Sequence, residues 1–164
     1  MFNLGIDSET TTGLLSRIEN EILARRADEM VIIIDSGGND TFVAKETGKN
    51  AVPFETFSEN YSKLITIAKK YGQVFCLSFK DFNPEQAKEL PWYKGYDFTN
   101  NNHDRYEQEI ERLAQVHDAQ YVDLTGLFEA DFARFSHDGD HPTPAGHELI
   151  YQKVESALEK AGIL

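Results

Sequence analysis

Short apolar runs alternate along this chain with longer segments of helical period, and that alternation constrains its fold more than any other feature. The clearest run, Val31-Ile32-Ile33-Ile34, is continuous and β-branched between polar flanks, the pattern of a strand covered by helices on both faces. It is therefore expected to lie at the centre of a sheet. Residues 1–6, 74–79 and 121–124 read as the other strands. Between them, residues 9–26 place Leu14, Leu15, Ile18, Ile22 and Leu23 on one helical stripe, with Thr10, Thr11 or Thr12 as N-cap. Residues 55–71 do the same with Phe57, Tyr61, Leu64, Ile65 and Ala68, and Gly72 is expected to stop that helix. Two more helices are expected over residues 103–117 and 144–160. Strands and helices in alternation imply an α/β domain with a mainly parallel sheet. A length of 164 residues, with no repeat or linker, suits one domain spanning residues 1–164.

Composition narrows the function. A formal charge of −12 would repel phosphate backbones and anionic lipid surfaces, and no cluster of Lys and Arg overrides it locally, which argues against nucleic acid as a partner. No stretch approaches the roughly 18 apolar residues needed to cross a bilayer, and residues 1–30 lack the layout of a signal peptide. The chain reads as soluble, and cytoplasmic as it stands, although any signal upstream of Met1 would lie outside it. Cys76 sits in the apolar run Val74-Phe75-Cys76-Leu77 and reads as a small core residue rather than a reactive thiol.

The chemistry concentrates in three places. Asp138 and His141 stand three residues apart, just before the last helix, on a turn stiffened by Pro142 and Pro144. Thr143 suits the N-cap and Pro144 the first helical position. A carboxylate so placed can hold one imidazole nitrogen and leave the other facing a site, as in the orienting acid and general base of a serine-type hydrolase; a solvated acidic helix start is the competing reading. The second place is Gly37-Gly38-Asn39-Asp40, directly after the apolar run, where the carboxyl ends of parallel strands bind ligands. There the backbone N–H of Gly38 and the amide of Asn39 could donate to a developing oxyanion, though the same four residues also make an ordinary turn. The third place is Asn3 to Thr11, a strand end running into a helix start, whose N–H groups point where an anion would sit.

Taken in order, these segments resemble the GDSL/SGNH family of serine ester hydrolases. Gly37 to Asp40 match the family's Gly-x-Asn-Asp block, Asp138 to His141 its Asp-x-x-His block, and Asn3 to Thr10 its Asn-x-Gly-x-Ser-Gly-[Asp/Glu]-Thr block, with Ser8 in place of the key glycine. The resemblance covers essentially the whole chain. It implies a three-layer α/β/α fold with a flavodoxin-like sheet, hydrolysis of a small acyl or acetyl ester through an acyl-enzyme, and no cofactor. It further implies His141 as base, Asp138 as its orienter, and oxyanion donors from the Asn39 side chain and the Ser8 backbone. The family's first strand, which carries a Gly-Asp-Ser block with the nucleophile, has no counterpart in the chain, so inactivity as it stands is expected. That strand would lie between residues 1–6 and 30–34. The gap invites homo-oligomerisation or a strand swap.

Alternatives remain open at this point. A non-catalytic α/β binding module would keep the fold and lose the chemistry. Asp35, Asp40, Asp138 and Asp140 with His141 would suit Mg²⁺, Mn²⁺ or Zn²⁺ in a metal-dependent hydrolase. Ser36 and Ser8 are substitute nucleophiles; the Asp35-Ser36-Gly37-Gly38 string also occurs in trypsin-like proteases, but those are all-β proteins. His103, His117 and His137 read as solvated, and His147 as a packing or capping residue. The long segment 80–102 carries Trp92, Tyr93 and Tyr96, either as a substrate loop bordering the site or as a cover over the core.

Overall fold

In the computed structural model, which describes residues 1–79, 81–87, 94–97 and 100–164, the elements run in the following order. They are α1 (Thr11–Ala24), β1 (Val31–Ile34), a 3-10 turn (Asn39–Thr41), β2 (Val43–Ala44), β3 (Lys49–Asn50), α2 (Phe54–Ala68) and β4 (Gln73–Leu77). Then come α3 (Pro84–Ala87), β5 (Tyr96–Asp97), α4 (Asn100–Val116), β6 (Gln120–Val122), α5 (Phe132–Phe135) and α6 (Pro144–Lys160). β1, β4 and β6 form a parallel sheet in that order, with Ile32 opposite Val74 and Cys76 opposite Tyr121.

Because side chains alternate across a strand, each face of this sheet has its own core. On one face Ile32, Ile34, Val74 and Cys76 pack against Ile18 and Ile22 of α1, Phe57, Tyr61 and Leu64 of α2, and Tyr106 and Ile110 of α4. On the other, Phe75, Leu77 and Val122 pack against Ile150, Val154 and Leu158 of α6. The result is a three-layer α/β/α arrangement. Val31 and Ile33 share the second face with Phe75, but α6 does not reach them, and they remain 38% and 40% exposed.

β1 is thus an edge strand, not the central one that its apolar run predicted. α1 and α2 cover Ile32 and Ile34, whereas Val31 and Ile33 are only partly covered and the outer edge of the strand pairs with no other strand among the described residues. Residues 1–6 do not form the expected strand either, for want of a partner to complete a ladder. The guanidinium of Arg17 ties that segment to α1 instead, donating to the Leu4 carbonyl at 2.8 Å and pairing with Glu9, while Arg25 lies over the Phe2 ring. Helix α2 ends at Ala68 with Lys69 as its C-cap, ahead of the expected stop at Gly72, where instead a Cβ would lie 2.1 Å from the Met30 carbonyl oxygen, the same oxygen that accepts from Gln73 N–H. The missing side chain of Gly72 lets the start of β4 reach the chain entering β1.

Several short elements, α3 and the 3-10 turn among them, fall where no regular element was expected. β2 pairs antiparallel with β3 and with β5, making a small second sheet from two-residue strands, and α5 is one turn long. Elements that short carry no readable period. Among the described residues, no helix is long and apolar enough to cross a membrane.

Candidate active site

The turn before α6 is built from its own sequence. Thr143 caps the helix, accepting from Gly146 N–H at 3.2 Å, and its hydroxyl donates to Arg134 O at 2.7 Å. Gly146 permits this, since a Cβ would lie 2.2 Å from Phe135 O. Buried Ser136 ties the loop across, donating to His141 O and accepting from Gly139 N–H, both at 3.1 Å. Within that frame Asp138 Oδ1 accepts the backbone N–H of His141 at 2.7 Å and of Asp140 at 3.0 Å, and its Oδ2 lies 2.7 Å from His141 Nδ1. Burial pushes the Asp138 carboxyl up, but these N–H donors outweigh it and hold the group below the usual carboxylate range. An ionised Asp138 must take its hydrogen bond from Nδ1–H, which leaves Nε2 as the lone-pair nitrogen of a neutral His141. The carboxylate is 10% exposed and the imidazole 52%, so the carboxylate is set and the imidazole faces out.

The turn after β1 builds the other half. Gly37, at φ +117°, fits against Phe57 and Phe79. Asn39 Nδ2 donates to Glu9 O at 3.0 Å, which spends one amide hydrogen and leaves the second. Ser8 adopts φ +58°, the left-handed conformation that the family's glycine would take freely. The N–H groups of Ser8 and Gly38 donate to no acceptor among the described residues. Asp40 faces inward, to Thr11.

Both turns stand at the carboxyl end of the parallel sheet. Gly37 touches Phe79, just after β4, and Gly139 O accepts from Asn83 N–H at 2.8 Å, further along the same exit. Since β4 lies between β1 and β6, Asn39 and the Asp138–His141 pair belong to one rim.

Other candidates fare differently. Trp92 and Tyr93 lie outside the described residues. Tyr96 is in β5, opposite Ala44, with its ring 5.8 Å from that of Phe42, so it belongs to the small sheet that follows the Asn39 turn. Of Asp35, Asp40, Asp138, Asp140 and His141, no three bring ligand atoms within 4.8 Å of one another; His103, Asp104 and Glu107 do so instead, on α4. His103 and His117 are not solvated as expected. The His103 ring lies 4.5 Å from Phe79, and His117 Nε2 lies 2.8 Å from Ser62 Oγ, fastening α4 to α2. His137 is exposed but sits 3.7 Å from Asp138 Oδ2. Cys76 is buried, which pushes its thiol up to about 11 and keeps it inert.

Sequence reasoning missed the network around Asp40. That carboxylate, wholly buried, accepts from Thr11 N–H and Thr11 Oγ1, and Asn60 Nδ2 donates in turn to the hydroxyls of Thr11 and Thr12. The only signal was its place beside Asn39. Thr10, the N-cap residue of α1, makes no capping bond with its side chain, and Asp40 reaches the helix start from a distant turn, accepting the N–H of its first residue, Thr11.

The GDSL-like Lipase/Acylhydrolase family model matches residues 1–149. No curated protein matches the sequence. Among solved structures, a GDSL-like lipase from Bacteroides thetaiotaomicron superposes with a TM-score of 0.74 at 20% identity, covering 96% of this chain and 74% of that one. An acetyl xylan esterase gives 0.74 at 19%, covering 94% and 78%. A lipase/acylhydrolase from Enterococcus faecalis gives 0.70 at 21%, covering 94% and 72%. At such identities these likenesses establish the fold.

Proposed function

The chain belongs to the GDSL-like lipase/acylhydrolase family, and on that premise we propose that its rim serves the cleavage of small acyl or acetyl esters through a serine acyl-enzyme. The observation that carries this reading is the Asp138–His141 pair, in which the ionised carboxylate takes Nδ1–H and so makes Nε2, 3.8 Å from Asp140 Oδ2, the nitrogen that carries the lone pair. His141 takes the proton of a serine hydroxyl as its oxygen bonds to the ester carbonyl carbon. The second Asn39 amide hydrogen and the N–H groups of Ser8 and Gly38 receive the oxyanion. Collapse expels the alcohol, which leaves with the proton from His141, and water repeats the sequence to release the acid.

The serine belongs on a strand paired with the open edge of β1. Such a strand, parallel to β1, would end at the rim that holds Asn39 and His141, and a helix following it would cover Val31 and Ile33. A second copy of the chain is the competing occupant of that edge, which the mass in solution distinguishes. The acetyl xylan esterase and lipase neighbours make acetylated sugars and short aryl esters the first substrates to assay.

The test is turnover of p-nitrophenyl acetate by this chain and by a form extended with a strand bearing Gly-Asp-Ser. The extended form should turn over, and His141→Ala in it should cost at least about 10³-fold in kcat. If the 164-residue chain turns over by itself and loses activity in Ser36→Ala or Ser8→Ala, the nucleophile is internal and the edge carries no catalytic strand. If neither form turns over, the non-catalytic binding module is the better reading.

A further inference from the structure

We infer that Asp40 is a positioning residue of this site: its buried carboxylate pins Thr11 while neighbouring Asn39 pins Glu9, and together they hold Ser8 in the left-handed conformation that presents its N–H. The inference rests on the reading of Ser8 and Asn39 as oxyanion donors.

The geometry is specific. Residues 39 and 40 are consecutive in one 3-10 turn, and their partners, Glu9 and Thr11, flank the start of α1. Asn39 holds the Glu9 carbonyl at 3.0 Å; Asp40 accepts Thr11 N–H at 3.2 and 3.0 Å on its two oxygens and the Thr11 hydroxyl at 2.5 Å. Asn60 of α2 closes the far side, donating to Thr11 Oγ1 at 3.3 Å and Thr12 Oγ1 at 3.0 Å. Every donor that Thr11 owns is therefore committed, and the chain on its N-terminal side has two fixed points within three residues. Ser8 stands immediately before them. An L-residue at φ +58° is strained, and only constraint by its surroundings keeps it there.

Helix capping alone does not account for the arrangement. A serine or threonine hydroxyl at the N-cap accepts from the second or third N–H of a helix, whereas Asp40 takes that of Thr11, the first. A carboxylate with no solvent exposure is a costly acceptor for that one group, and burial raises its pKa to about 6. What it adds is a two-oxygen acceptor on a glycine-anchored turn, which couples the Asn39 turn rigidly to the Ser8 turn. Two of the three donors sought for one oxyanion, those of Ser8 and Asn39, are thereby set relative to each other.

The test uses the folded chain and sodium acetate, the product anion, followed by ¹⁵N NMR. In the unaltered chain, acetate should shift the Ser8 backbone amide and the Asn39 side-chain amide together. In Asp40→Ala and Asp40→Asn the Ser8 response should weaken by several fold and Thr11 amide exchange should quicken at least tenfold, with exchange in β4 unchanged as proof of folding. Adding Ser8→Gly to Asp40→Asn should restore part of the acetate response, because glycine holds that conformation without the clamp; a merely structural role predicts no such rescue. Equal acetate responses with and without the Asp40 carboxylate would overturn the inference. Silence of both amides in the unaltered chain would instead overturn the donor reading on which it stands, whatever Thr11 exchange shows.

Discussion

Asp40 and Asp138 are two carboxylates at one rim whose surroundings drive them in opposite directions. Asp138, fed by two backbone N–H groups and an imidazole, is held below its usual range; the stability it contributes is present above pH 3.8 and lost as pH falls through its folded pKa. Asp40 runs the other way. Its folded pKa, raised from 3.8 to about 6 chiefly by burial, means that the unfolded chain ionises first as pH rises, so folding loses stability across that window. A shift of about two units corresponds to about 3 kcal/mol. The groups that face it are Thr11 from α1 and the Tyr106 phenol from α4, and neither carries a charge that titrates between pH 4 and 6. Urea unfolding of the wild type and Asp40→Asn at pH 4 and pH 7 should therefore show the wild type losing ground to the variant by about that amount between the two pH values. A constant difference would mean that Asp40 does not titrate in this window.

At the scale of elements, the sheet is unevenly covered. Phe75 is fully buried under α6, whereas Ile33, beside it on the same face, is 40% exposed. Phe75→Ala should cost about 3–5 kcal/mol in chemical denaturation, the usual result of emptying a core site. Ile33→Lys should cost under about 0.5 kcal/mol, as surface substitutions do, and the added charge should blunt any edge-to-edge association seen in sedimentation. In a form extended by a strand and helix over β1, Ile33→Lys should become costly, by about 2 kcal/mol or more, because the charge would then be buried. Equal cost in both forms would show that the added segment packs elsewhere.

For the whole molecule, the net charge of −12 sets up a field that the rim cannot escape. Neutral acetyl esters meet no barrier from it, while esters with a carboxylate near the scissile bond do. In an extended form that turns over, raising salt from about 0.02 to 0.5 M, which shortens the screening length from about 20 Å to about 4 Å, should raise kcat/KM for an anionic ester several fold and leave p-nitrophenyl acetate nearly unchanged. The same salt response for both substrates would place the controlling charges away from the approach to His141.

How far the sequence reaches is clearest where contacts are local. Asp138 and His141 are three residues apart, so a stiff turn alone brings them together, and the last helix could be delimited from Thr143 and Pro144 by short-range capping rules. The amphipathic stripes of α1 and α2 and the family blocks likewise follow from period and order along the chain. Position within the sheet is different, because a strand's sequence records that its faces are apolar but not whether its edge has a partner; β1 reads as central and stands at the edge. So too with Asn39 and Glu9, or Asp40 and Thr11, which lie about thirty residues apart and meet only because α1 folds back beside the turn after β1. The amino-acid order by itself determined the fold class and the Asp138–His141 contact, since both rest on local geometry and burial of alternating faces. Only the tertiary structure decided that β1 has a single neighbouring strand among the described residues and that Asp40 holds Thr11, because those depend on segments distant along the chain being packed into contact.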